Sequence, residues 1–169
     1  LVWLPTYRKS TIGDIREDGI ETGNIYGLEE FDAEKFDCIL KELDLTIFVK
    51  PHPMAMNYSN NINGKVFTNL KVISDNTLEK WGLSLYEFLS ISNGLISDVS
   101  SVMVDYQLTK KPIICCFPDE DKYRTTRGLI PGVDLSEIYS YFCSNEIGLI
   151  EILRELDFDK NLELHSKYN

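Results

Sequence analysis

Gly94-Leu-Ile-Ser-Asp-Val-Ser-Ser-Val-Met-Val-Asp105 is the stretch from which the rest of this 169-residue chain can be ordered. A short apolar run ends in Ser97-Asp98, a Ser100-Ser101 pair follows, and a second apolar segment carries Asp105. That order spells a buried strand, a tight polar turn and the start of a helix. Backbone N–H groups in the first turn of a helix have no partner inside it, so such a junction suits phosphate. Together with Lys50-Pro-His-Pro53, it points to a site for a nucleotide diphosphate.

Elements of the same kind lie on either side. Leu1 to Leu4 reads as a strand, with Pro5-Thr6-Tyr7-Arg8 as the loop beyond it. Residues 9–30 are polar and carry Gly13, Gly19, Gly23 and Gly27, the pattern of a long functional loop. Asp32 is placed to cap a helix, and Phe31 and Phe36 to staple its entry; Phe36, Ile39, Leu40 and Leu43 share one face. Leu45 to Val49 reads as a strand that Pro51 and Pro53 stop, which leaves His52 in a loop. A third strand falls within Val66 to Ile73. Ser84-Leu-Tyr-Glu87 has the capping-box pattern, followed by Leu85, Phe88, Leu89 and Ser92 on one face. Ser101 to Thr109 reads as a helix and Pro112 to Phe117 as a strand. A last helix begins near Asn145, with Leu149, Ile152, Leu153 and Leu156 as its stripe.

Strands alternating with helices predict an α/β fold: a Rossmann-like parallel sheet with helices on both faces. Residues 1–157 form a single domain in this reading, and 158–169 a polar tail. Ligands of such sheets lie beyond the carboxyl ends of the strands. Pro5–Arg8, Lys50–Pro53, Ser97–Ser101 and Pro118–Arg127 are expected on that one edge.

Composition narrows the chemistry. With 17 basic and 27 acidic residues the net charge is −10, which argues against nonspecific nucleic-acid binding and against a membrane-surface anchor in this segment. No apolar run is long enough to span a bilayer, and no signal-peptide pattern opens the chain. The start at Leu1 reads as a domain cut from a longer protein or as a processed product. Of the four cysteines, Cys115 and Cys116 sit in an apolar run and read as small buried residues. With no CxxC pair and two histidines, a usual zinc site is not expected. A reduced, cytoplasmic setting is expected.

Several residues carry the candidate chemistry. The Ser100 and Ser101 hydroxyls can donate to a phosphate, with Asp98 or Ser100 as the alternative helix cap. Asp105 lies one turn from Ser101 on the same face, or is simply a solvated helix acid. His52 is the one histidine outside the tail. It can donate to a pyrophosphate oxygen or act as an acid toward a leaving phosphate, and the flanking prolines fix where its ring points. Arg8 can reach a phosphate or form a surface ion pair. In Asp119 to Gly128, Arg127 is the better candidate for phosphate charge, Arg124 the better one for pairing with local acids, and Gly128 permits close backbone approach. The chain has no GxGxxG, no GxxxxGK[ST] and no GxSxG.

Read in order, these segments resemble the C-terminal half of the CDP-glycerol glycerophosphotransferases, the teichoic-acid polymerase and primase family. The residues that carry the resemblance are Pro5-Thr6-Tyr7-Arg8, Lys50-Pro51-His52-Pro53, Ser97-Asp98-Val99-Ser100-Ser101, Asp105, Lys111-Pro112, Asp119 to Tyr123 and Arg127-Gly128. Tyr7 replaces the family's usual Trp, Val99 replaces a Tyr, Asn93-Gly94 replaces an acidic and an apolar residue, and Leu129-Ile130 stands where Phe-Tyr is common. The resemblance implies one half of a two-domain GT-B enzyme. This half binds CDP-glycerol, and a missing N-terminal domain serves the acceptor, a cell-surface polymer such as teichoic acid or capsule. It implies His52 as the catalytic group, with Thr6, Arg8, Pro51, Asp98, Ser100, Ser101, Asp105, Arg127 and Gly128 around the donor. No metal or other cofactor is implied. The fragment is expected to be inactive alone, and the longer protein to lie at the inner face of the membrane. Two other readings stay open: a GT-B glycosyltransferase or epimerase domain using a UDP- or CMP-sugar, and a degenerate domain serving assembly or regulation.

Overall fold

A computed structural model describes residues 1–6, 23–53, 55, 66–126, 128, 135, 139 and 141–158. Six short strands, β1 (Val2–Leu4), β2 (Ile47–Val49), β3 (Leu70–Val72), β4 (Leu95–Ser97), β5 (Ile113–Cys116) and β6 (Tyr141–Cys143), form one sheet in the order β3-β2-β1-β4-β5-β6. Every neighbouring pair is parallel. Parallel strands need crossover connections that cover both faces, so the central strands are apolar runs rather than alternating ones.

Alternate residues of the strands feed two cores. Trp3, Ile47, Val49, Ile96, Ile114 and Cys116 point to one face, where α1 (Ala33–Glu42) and α6 (Glu146–Glu155) pack. Val2, Leu95, Ile113, Cys115 and Phe117 point to the other. That face is covered by α2 (Asp75–Trp81), α3 (Leu85–Ile91) and α4 (Val102–Tyr106). A 3-10 turn at Gln107–Thr109 continues α4.

Local signals set the helix starts. The Asp32 side chain accepts from the N–H groups of Glu34 and Lys35, and the Phe31 and Phe36 rings stand 5.0 Å apart, so both the cap and the staple form. The Ser84–Glu87 capping box forms as well. Glu146, in the first turn of α6, accepts from the backbone N–H of Asp32 at 2.8 Å and so ties α6 to the start of α1. The Asp37 carboxylate on α1 accepts from the N–H groups of Asn69 and Leu70, each at 2.7 Å, and anchors the entry to edge strand β3.

Two expectations change, and two elements are new. The polar stretch 9–30 is a loop in its described part, 23–30, but not a wholly exposed one: Ile25, Tyr26 and Leu28 are buried in the first core. Asn24 makes this possible by accepting from the N–H groups of Tyr26 and Gly27 and donating to the Leu28 carbonyl. The charged segment after β5 is helical, α5 (Glu120–Thr126), with Glu120 and Arg124 paired one turn apart. Two elements went unassigned from sequence, α2 and β6. Residues 7–22 and 159–169 lie outside the described residues, and with them the polar tail beyond Phe158.

Candidate functional site

The strand order reverses between β1 and β4. The chain leaves β1 toward β2 on one side, and the next strand on the other side is β4. In open parallel sheets the crevice beyond the carboxyl ends at such a point is where ligands bind. Here it is closed by two polar ties. The Thr6 hydroxyl donates to the Asp98 carboxylate, and the Ser97 hydroxyl donates to the Leu4 carbonyl at 2.8 Å. Asp98 is 6% exposed, so its charge is held inside the protein by hydrogen bonding, as a buried carboxylate requires. Of the predicted residues, Thr6 and Asp98 are therefore brought into direct contact.

Ser100 and Ser101 follow at once. Ser101 occupies the position before α4, and its side chain makes no capping hydrogen bond. The Ser100 hydroxyl stands 3.4 Å from the Val102 N–H. Ser100 is half-buried and Ser101 exposed. Because α4 spans only 5 residues, any pull on a phosphate comes from these hydroxyls and first-turn N–H groups, not from a long helix dipole.

On the other flank of β1, β2 delivers Lys50-Pro51-His52-Pro53 to the same edge. The Lys50 N–H donates to the Trp3 carbonyl at 2.9 Å, which fixes the strand end beside β1. Pro51 is buried and His52 exposed, and the His52 carbonyl accepts from the Ala55 N–H at 2.8 Å. Adjacent strands are roughly 4.8 Å apart, so the His52 loop and the Ser100-Ser101 turn flank Thr6 from opposite sides.

Asp105 is oriented differently. Its carboxylate accepts from the Tyr86 hydroxyl at 2.7 Å on α3, which ties the two outer helices together. That bond also raises the Tyr86 phenol above its ordinary value, because the neighbouring carboxylate stabilises the protonated form. Gly128 has φ +80 and its N–H donates to the Tyr123 carbonyl at 3.0 Å, which is the geometry of a glycine closing α5. Open space lies where its Cβ would stand. Arg8 and Arg127 lie outside the described residues.

Two lysines named in the sequence motifs take structural roles, and Lys50, expected to add positive charge to the site or to face solvent, does not face solvent. Lys50 is buried and its ammonium meets the Asp75 carboxylate at 2.9 Å. The Lys111 ammonium donates to the carbonyls of Ser90 and Ser92, each at 2.7 Å, and so caps the end of α3. Cys115 and Cys116 stay out of the chemistry. Burial, then the nearby Asp98 charge, pushes the Cys115 thiol up, and the Cys143 contact together with burial does the same for Cys116. Protonated buried thiols are poor nucleophiles. Among the described residues no three histidine, cysteine or acidic side chains gather as a metal-ligand set. No described helix is long and apolar enough to cross a membrane. A separate groove lined by Thr46, Phe48, Phe88 and Asn93 opens at the sheet's other, amino edge.

Residues 1–168 match the family described as CDP-Glycerol:Poly(glycerophosphate) glycerophosphotransferase. The teichoic acid glycerol-phosphate primase of Bacillus subtilis (strain 168) is 26% identical over 170 residues, which takes in 100% of this chain and 39% of the primase. A stretch of 44 residues is 46% identical to the teichoic acid ribitol-phosphate primase of Bacillus spizizenii, over 26% of this chain and 11% of that protein. Among solved structures, the wall teichoic acid polymerase TagF aligns with a TM-score of 0.64 at 23% identity, over 98% of this chain and 36% of the polymerase. A TagF variant soaked with CDPG aligns at 0.60 and 24% identity, over 98% of this chain and 34% of that one. The fold is thus shared with a GT-B-like polymerase, and the chain spans well under half the length of the proteins it matches.

Proposed function

Because the chain belongs to the CDP-glycerol:poly(glycerophosphate) glycerophosphotransferase family, we propose that it is the donor-binding half of an enzyme that moves glycerol phosphate from CDP-glycerol to a cell-surface polymer. The acceptor is teichoic acid or capsule, and a second domain supplies its site. The longer protein works at the inner face of the membrane. The observation that carries this reading is the switch point itself, where Thr6 and Asp98 are joined between the Ser100-Ser101 turn and the His52 loop.

In this mechanism an acceptor hydroxyl attacks the β-phosphorus of CDP-glycerol. A new P–O bond forms as the hydroxyl proton passes to a base supplied by the second domain, the bond from the β-phosphorus to the bridging oxygen breaks, and CMP leaves with the electron pair. Negative charge grows on the leaving phosphate, so placed donors and in-line positioning are what the protein must supply. His52 donates to a diphosphate oxygen or to the departing CMP, and Ser100, Ser101 and Arg127 add donors without a metal. Thr6, Pro51 and Asp98 hold these loops in register. Arg8 and Gly128 complete the donor rim. Asp105 serves from behind: its bond to Tyr86 holds the helix that carries Ser101.

Calorimetric titration of the chain with CDP-glycerol, CDP, UDP and CMP tests the reading. CDP-glycerol and CDP should bind in preference to UDP; a preference for UDP rejects it in favour of a sugar transferase or epimerase. In the full-length protein His52→Ala should lower kcat by roughly 10²–10³-fold if the imidazole acts as one placed transition-state donor. Unchanged transfer would remove His52 from the chemistry.

A further inference from the structure

Among the described residues, Lys50 is the one basic side chain that is buried: it is 9% exposed, while its partner Asp75 is 63% exposed. The two meet at 2.9 Å. Lys50 is the last residue of its strand end held by the ladder, with its N–H on the Trp3 carbonyl. Pro51, which has no N–H to give, and His52 follow directly. Asp75 stands on a firm base, as the first residue of α2 behind Ser74, whose capping box with Thr77 fixes the turn. The entry to that turn is itself tied to β2, since the Ile73 N–H donates to the Val49 carbonyl at 2.9 Å.

We propose that Asp75 is a positioning residue for the donor site: through Lys50 it holds the Pro51-His52-Pro53 segment against the carboxyl edge and so sets where the His52 imidazole stands. This rests on the reading of His52 as a donor-site group. A buried ammonium stripped of its counter-ion is strongly unfavourable, and a lysine stem relieves it by swinging its head to water. The pair is also the tether between the end of β2 and the start of α2, so losing it, through either partner, frees the stiff Pro51-His52-Pro53 segment to move as a unit and carry His52 with it.

The test uses this chain, whose two histidines, His52 and His165, make the imidazole Cε1–H resonances simple to assign by comparison with His52→Ala. In Asp75→Asn the His52 resonance should shift, and the Kd for CDP-glycerol should rise roughly tenfold, the scale of coupling between residues in contact. Asp75→Glu should restore both. The double variant Lys50→Met/Asp75→Asn leaves no stray buried charge, so it folds even if Asp75→Asn does not, and it should keep the shifted resonance and the weakened binding. A wild-type His52 resonance in Asp75→Asn, or its return in the double variant, overturns the proposal. The donor-site reading is judged separately: if His52→Ala leaves both the Kd of this chain and the kcat of the full-length protein unchanged, that reading fails, whatever the resonance does.

Discussion

The bond between Thr6 and Asp98 joins the two loops that diverge at the switch point, and its strength can be worked from their surroundings. Asp98 is 6% exposed and Thr6 half-buried. Hydrogen bonds to charged groups contribute roughly 1.5–3 kcal/mol, and a buried polar atom left without its partner costs about 1–3 kcal/mol. Thr6→Val keeps the side chain's shape and removes the donor; Asp98→Ala removes the acceptor. Each single change should therefore cost about 2 kcal/mol at neutral pH. The double change should cost less than the sum by about 1–2 kcal/mol, since the same bond cannot be lost twice. Urea unfolding followed by tryptophan fluorescence measures all four proteins, with Trp3 in the core next to this loop as the reporter. CDP affinity, taken in parallel, should fall in both single variants because each frees one rim of the crevice. Additivity within about 0.5 kcal/mol would refute the claim that this bond joins the loops.

Three further outcomes are expected. Among the described residues the buried Tyr26 hydroxyl meets no hydrogen-bond partner, so Tyr26→Phe should raise stability at neutral pH by about 1 kcal/mol, read from the urea midpoint. Burial, then the Asp37 charge, pushes the Tyr26 phenol up to about 12 from an ordinary 10. Its neutral form is therefore favoured in the folded state: the contribution is complete below pH 10 and is lost as pH climbs from 10 to 12, by about 3 kcal/mol in the limit. Unfolding profiles across that window should be flatter for Tyr26→Phe than for the wild type; coincident profiles would contradict the assignment. Excess EDTA should leave transfer by the full-length protein within about twofold if side-chain and backbone donors carry the phosphate charge, whereas loss of transfer restored by a divalent ion would require a metal in the site.

Much of the fold was legible because parallel-sheet strands and helix caps leave local marks. Asp32 with Phe31 and Phe36, Ser84 with Glu87, and Asn145 before an apolar stripe each predicted a helix start that is observed. The helix α2 was missed because Thr77, not a glutamate or glutamine, completes its capping box, although Gly82 with φ 70 at its end left a usable mark. β6 was missed because three residues, Tyr141 to Cys143, carry too little periodicity to stand out. The burial of Ile25, Tyr26 and Leu28 depends on Trp3 and Phe31, whose rings lie 5.8 Å and 4.3 Å from that of Tyr26, and such packing has no signature in a local window. At the site, the carboxyl-edge loops could be named from sequence. The Lys50–Asp75 and Thr6–Asp98 partnerships could not, since they join residues 25 and 92 positions apart whose pairing only the sheet order creates.

In the proposed donor site the loops after β1, β2 and β4 hold one nucleotide diphosphate together. Titrating CDP-glycerol into the isotopically labelled chain and following backbone amide and His52 resonances tests it most directly. Thr6, His52 and residues 98–101 should respond together, with one shared Kd, while Thr46 and Asn93 at the amino edge stay still. Responses confined to the amino edge, or separate affinities for the His52 loop and the Ser100-Ser101 turn, would contradict it.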